Sequence, residues 1–106
     1  MAGYLTVLTT TDSAARAEEL ARAGVGGRVA ACAQIDGPIT SVYWWQGALQ
    51  TDQEWRVLYK LPAERFGELQ RIITSVHTYE TPEIIATEIT HGSAEYLRWI
   101  TAETSA

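Results

Sequence analysis

The stretch Ile39-Thr40-Ser41-Val42-Tyr43-Trp44-Trp45-Gln46-Gly47-Ala48-Leu49-Gln50-Thr51-Asp52-Gln53-Glu54-Trp55-Arg56-Val57-Leu58-Tyr59-Lys60-Leu61 decides the fold. As far as Trp45 it is dense in β-branched and aromatic residues, which suit a pleated surface. Gln46-Gly47-Ala48 supplies a turn, and Thr51 to Leu61 returns as a second strand carrying Trp55, Val57 and Tyr59 on one parity. The two runs make a β-hairpin longer than a domain of 106 residues requires. Trp44 and Trp45 are adjacent, so a regular strand points them to opposite faces and one core cannot readily bury both. A single indole left in solvent is one reading. The clustering of three of the four tryptophans with Tyr43 and Tyr59 favours another, a subunit interface, where Trp and Tyr are enriched.

Upstream of the hairpin, Gly37-Pro38 marks a bulge or bend, because proline donates no ladder hydrogen bond. Val29 to Ala33, short-chained and apolar, reads as the start of the same strand system. Tyr4 to Thr10 is a first strand, closed by the helix-capping pair Asp12-Ser13. Ala14, Ala17, Leu20 and Ala21 then predict a helix to Ala23, stopped by Gly24, Gly26 and Gly27. Downstream, Pro62 suits the first position of a helix to Val76, whose apolar face is Phe66, Leu69, Ile73 and Val76. Pro82 disfavours helix at Thr81, Glu83 to Ile89 reads as a strand, and Gly92-Ser93 caps a last helix with Tyr96, Leu97 and Ile100. The order β-α-β-β-α-β plus a terminal helix predicts one α+β domain over 1–106, a ferredoxin-like sandwich with two helices on one face of an antiparallel sheet.

Composition narrows the function. A net charge of −5 with eight scattered basic residues argues against nucleic acid as a partner. Cys32 is the only cysteine, which excludes an intrachain disulfide and a cluster held by several thiolates from one chain. No apolar run approaches spanning length and no signal-peptide pattern opens the chain, so no membrane insertion is expected and the expected compartment is the cytoplasm.

Ala30-Ala31-Cys32-Ala33, Ser41-Val42-Tyr43-Trp44-Trp45-Gln46-Gly47, the run ending at Lys60, and His77-Thr78-Tyr79-Glu80-Thr81-Pro82-Glu83-Ile84 resemble the CutA family of divalent-cation tolerance proteins. Thr90-His91-Gly92 and Tyr96-Leu97-Arg98-Trp99 are similar to its C-terminal part, so the resemblance runs along nearly the whole chain. It implies a PII-like homotrimer of ferredoxin-like subunits whose 39–61 hairpins pair between neighbours. It also implies a role in tolerance of divalent metals, copper being the usual candidate, with animal relatives linked to membrane anchoring of acetylcholinesterase. No enzymatic reaction is established for the family. Some bacterial relatives carry a second cysteine where this chain has Thr9, and a histidine pair at Val76-His77.

By that resemblance Cys32, Lys60, His77, Tyr79, Thr81, Pro82 and Glu83 occupy positions lining a cleft between subunits. The metal candidates are His77 and Cys32, a thiolate favouring Cu(I) over harder ions, although free cysteine is as often a small buried apolar group. One imidazole and one thiol need further donors, which a trimer could supply from a second chain. The ligand candidates are Lys60, Tyr79, Thr81, Pro82, Glu83 and Trp45. The loop from Tyr79 to Glu83, joined by the chain's only lysine, Lys60, suggests a polar pocket for a small anion or zwitterion. His91 before Gly92 reads as a solvent-facing loop residue.

Three rivals stand beside this reading. A Cys32 nucleophile with His77 as base lacks the electropositive surroundings that lower a thiol pKa. The same enzymatic rival in acylphosphatase form needs an asparagine, and the chain has none. Trp55-Arg56-Val57-Leu58-Tyr59-Lys60 only loosely resembles an RNA-binding strand, and the acidic balance opposes it. A PII-like sensor of a small metabolite shares the trimer and the cleft, and differs only in what it binds.

Overall fold

The computed structural model describes residues 3–105. Its strands are β1 (Tyr4–Thr11), β2 (Cys32–Trp45), β3 (Ala48–Pro62) and β4 (Ile85–Glu88), and its helices α1 (Ala14–Gly26), α2 (Phe66–Val76) and α3 (Ala94–Glu103). They make one antiparallel sheet in the order β2-β3-β1-β4. This is the expected α+β ferredoxin-like βαββαβ order with a long β2-β3 hairpin and a terminal helix.

Alternation along the central strands builds the core. Leu5, Val7, Thr9 and Thr11 of β1 lie opposite Leu61, Tyr59, Val57 and Trp55 of β3, so one face carries both sets. Val7, Val57, Tyr59 and Leu61 are fully buried there against Ala17 and Leu20 of α1 and Leu69 and Ile73 of α2. Tyr59 satisfies its hydroxyl by donating to the Leu20 carbonyl at 2.7 Å. Gly24 lets α1 approach closely, since a Cβ there would stand 2.8 Å from Tyr59 Cε2. Ser13 caps α1 by accepting from the Arg16 amide, and Ser93 caps α3 by accepting from Tyr96.

Several boundaries differ from the sequence reading. Val29–Ala31 is buried loop rather than strand: Val29 and Ala30 donate to the Gly24 carbonyl and Ala31 to the Lys60 carbonyl. An apolar run of that length looks the same whether it is strand or covered loop. α1 continues past Gly24 to Gly26, and the left-handed residue after it is Arg28 at φ 63°. Pro62 does not open α2; it ends β3 opposite Tyr4, and a single 3-10 turn over Ala63–Arg65 intervenes. β4 is limited to Ile85–Glu88, which leaves Glu83 in the preceding loop.

The hairpin projects beyond the sheet. β1 ends at Thr11 opposite Trp55, so everything in β2 and β3 between Ile39 and Glu54 has only its hairpin partner. The bulge expected at Gly37-Pro38 is present as a register shift between Asp36 and Ile39. Gly37 is required there, because a Cβ would meet Trp55 Cδ1 at 2.6 Å. At the tip, Gln46 and Gly47 both take positive φ, the geometry that matches strand twist in a two-residue turn. Trp44, Val42 and Leu49 on one side of the arm are 72%, 60% and 59% exposed.

Candidate functional site

The second face of the sheet, opposite α1 and α2, carries the even positions of β3: Glu54, Arg56, Leu58 and Lys60. Where the hairpin leaves the sheet, this face meets the loop before β4 in a cleft of about 600 Å³. Its walls carry the hydroxyls of Thr10, Ser41, Tyr43, Tyr79 and Thr81, the indole of Trp45, and the carboxyl-bearing residues Glu54, Glu80 and Glu83. Among the described residues no lysine, arginine or histidine lines it.

Glu54 is the most constrained of these. It is only 8% exposed, and Tyr79 donates its hydroxyl to Glu54 Oε2 at 2.7 Å. Burial, followed by that bond to a carboxylate, holds the Tyr79 phenol well above the usual phenol range. Among the described residues no basic side chain pairs with Glu54; Arg56, two positions along, is committed to Asp36. Thr10 donates to Glu83 Oε1 at 3.4 Å, and Tyr43 donates to Asp52 at 2.5 Å beside the cleft.

His77 sits behind this arrangement, at the end of α2. Its Nδ1 accepts from the Tyr79 amide at 3.1 Å, so the proton belongs on Nε2, which faces the Thr10 carbonyl at 2.7 Å. The imidazole thus ties α2 to β1 and places the Tyr79 ring, whose centroid is 4.7 Å from its own. Neither nitrogen keeps a free lone pair for a metal in this arrangement.

Cys32 and Lys60 form a different cluster. They are paired across β2 and β3, and Tyr96 of α3 covers them. Cys32 Sγ is 3.6 Å from the Tyr96 hydroxyl, and Lys60 Nζ is 5.5 Å from the ring centroid. The hydrogen bond with the thiol, then partial burial, raises the Tyr96 phenol. Lys60 lies six residues along β3 from Glu54, roughly 20 Å at strand spacing.

The expected site residues therefore divide. Trp45, Tyr79, Thr81 and Glu83 come together at the cleft, Pro82 shapes its loop, and His77 supports it from behind. Lys60 is not part of it within one chain, so the pocket is acidic rather than suited to an anion. Cys32 and His77 lie in separate clusters, and among the described residues no three His, Cys, Asp or Glu side chains gather to hold a metal ion. His91 is exposed, with its Nδ1 3.2 Å from the Thr90 hydroxyl. Sequence reasoning missed Glu54, Thr10, Ser41, Tyr43 and Glu80. The available signal was Glu54, a carboxylate next to Trp55, where the polar outer part of β3 gives way to its core-packing run.

A ferredoxin-like α+β domain with an overlong hairpin, a terminal helix and a polar cleft at the hairpin's base defines the class. The family model described as CutA1 divalent ion tolerance protein matches residues 5–103. The divalent-cation tolerance protein CutA of Thermus thermophilus is 40% identical over 98 residues, covering 92% of this chain and 95% of that one. An Escherichia coli protein of the same description is 34% identical over 96 residues, covering 91% and 86%. The solved structure of the periplasmic divalent cation tolerance protein CutA from Archaeoglobus fulgidus superposes with a TM-score of 0.92 at 32% identity, covering 95% of this chain and 98% of that one. The chain belongs to the CutA1 divalent ion tolerance protein family, whose members are tolerance proteins and not enzymes. Among the described residues no helix is long and apolar enough to cross a membrane.

Proposed function

We propose that this protein acts in divalent-cation tolerance as a homotrimer, its 39–61 hairpins pairing with neighbouring copies, with Cu(II) the first cation to test. The observation that carries the association is the projecting arm, which leaves Val42, Trp44 and Leu49 in solvent on a two-stranded ribbon too small to be stable by itself. An unpaired edge of this kind is completed by another strand, and closed symmetric assemblies are the usual result. Sedimentation equilibrium at micromolar protein tests it: three times the chain mass is expected, and a folded single chain overturns it.

Among the described residues of one chain no group of three donors gathers to hold a metal ion, so the cation would be held where donors of two copies meet. Cys32 is the donor open to it, half-buried and, among the described residues, hydrogen-bonded at its thiol only by Tyr96. His77 would join only after releasing the Tyr79 amide or the Thr10 carbonyl. Calorimetric titration with Cu(II) of the wild type, Cys32→Ser and His77→Ala decides which donors matter; equal affinities in all three reject both as ligands. The PII-like alternative, a trimer that senses a small molecule, is favoured by the cleft itself, whose 600 Å³ is far larger than a bare ion needs. Cytoplasmic residence belongs to the same reading and rests on the lone thiol; cell fractionation tests it against the periplasmic placement that the Archaeoglobus fulgidus relative's description carries.

A further inference from the structure

We infer that the cleft at the hairpin's base takes a small organic cation, a primary ammonium group on a short aliphatic body, with Glu54 as its counter-charge. This ligand class deepens the small-molecule reading of the cleft and rests on it. The geometry points there from four directions. Glu54 is more than nine-tenths buried, and its one recorded partner, the Tyr79 hydroxyl, occupies Oε2 and leaves Oε1 without a hydrogen bond among the described residues. A buried carboxylate with no cation beside it is costly, and a bound ammonium would remove that cost.

The remaining walls suit the same guest. Hydroxyl oxygens of Ser41, two positions along β2 from the residue paired with Glu54, and of Thr81 can accept the other N–H bonds of a primary ammonium. Glu80 and Glu83 keep the rim negative, and the absence of lysine, arginine or histidine from the lining among the described residues disfavours anions. A bare metal ion fits poorly, because the described carboxylates do not converge into a group of three.

Calorimetry and tryptophan fluorescence with 1,4-diaminobutane as the probe, and succinate as the anion of similar length, test this ligand class. Saturable binding of the diamine at one site per chain, with none of succinate, is expected. Glu54→Gln keeps an acceptor for Tyr79 and should weaken the diamine by at least about tenfold. Ser41→Ala should weaken it several-fold, with circular dichroism confirming that both variants remain folded. Diamine affinity unchanged in Glu54→Gln overturns the assignment. Binding of succinate without the diamine overturns the ammonium class while leaving the cleft a small-molecule site. Binding of neither, with self-association lost in Glu54→Gln, makes the occupant a side chain of a neighbouring copy and overturns it too. Failure of both probes with assembly intact removes the small-molecule reading along with the ligand class.

Discussion

Replacing His77 by alanine separates a positioning role from a metal-binding one, because the structure assigns the imidazole two hydrogen bonds and a ring contact. The bond to the Thr10 carbonyl at 2.7 Å and the bond from the Tyr79 amide at 3.1 Å are part-buried, and each contributes about 1 kcal/mol. The tilted contact with the Tyr79 ring, centroids 4.7 Å apart, adds about 0.5–1 kcal/mol. The sum, about 2.5–3 kcal/mol, corresponds to a fall of roughly 10–20 °C in Tm for a domain of this size. His77→Gln, which keeps a donor and an acceptor, should recover part of it. Thermal unfolding at one fixed protein concentration is the appropriate assay, since self-association makes Tm concentration-dependent. Refutation would be a His77→Ala protein that melts within about 2 °C of the wild type yet loses Cu(II) affinity; that pair of results would show the imidazole to be a ligand and not a strut.

Gly24→Ala sets helix propensity, which favours alanine by about 1 kcal/mol, against a Cβ at 2.8 Å from Tyr59 and 3.0 Å from Leu69. Tyr59 is pinned to the Leu20 carbonyl, so overpacking at about 1–3 kcal/mol wins and urea unfolding should show a net loss of about 1 kcal/mol. Alkaline pH should unfold the protein through Tyr59, whose complete burial raises its phenol beyond the ordinary value of 10.0. The folded state favours the neutral phenol, so stability is fully present below pH 10 and is lost as pH rises through the folded pKa. Tyr59→Phe should lose about 1 kcal/mol at neutral pH and flatten that decline; an unaltered alkaline slope points to another group. Trp44→Gln should raise the dissociation constant for self-association by tenfold or more, as buried indoles at interfaces commonly do, and an unchanged sedimentation profile counts against the arm as the contact.

The elements whose apolar spacing is long and regular were legible from sequence. α2 could be read from Phe66, Leu69, Ile73 and Val76, and of these Leu69 and Ile73 are the buried pair. The hairpin could be read from Trp55, Val57 and Tyr59, whose shared parity is the core face of β3. Where the reading failed, two structures compete for the same local pattern. Val29–Ala31 is apolar because it is covered, and its amides reach Gly24 and Lys60, partners that no local rule reveals. Pro62 serves equally well at the start of a helix or the end of a strand, and its pairing with Tyr4 decides for the strand.

The site was legible only where its residues are close in sequence. Tyr79, Thr81 and Glu83 fall in one loop, whereas Glu54 and Thr10 arrive from two other strands. Their meeting depends on register: the extra residue of β2 at Gly37-Pro38 sets Ile39 against Glu54, and from there Ser41, Tyr43 and Trp45 share the face on which Glu54 and Thr10 lie. A one-residue change in that bulge would exchange Trp45 for Trp44 at the cleft and turn the three hydroxyl and aromatic groups of the β2 wall away from Glu54. The adjacent tryptophans thus divide two tasks by parity alone: Trp44 extends into solvent where another chain can cover it, and Trp45 faces the acidic cleft. The same alternation explains why Lys60, on the right face but six residues along, cannot neutralise Glu54, and why the cleft of a single chain keeps its unpaired negative charge.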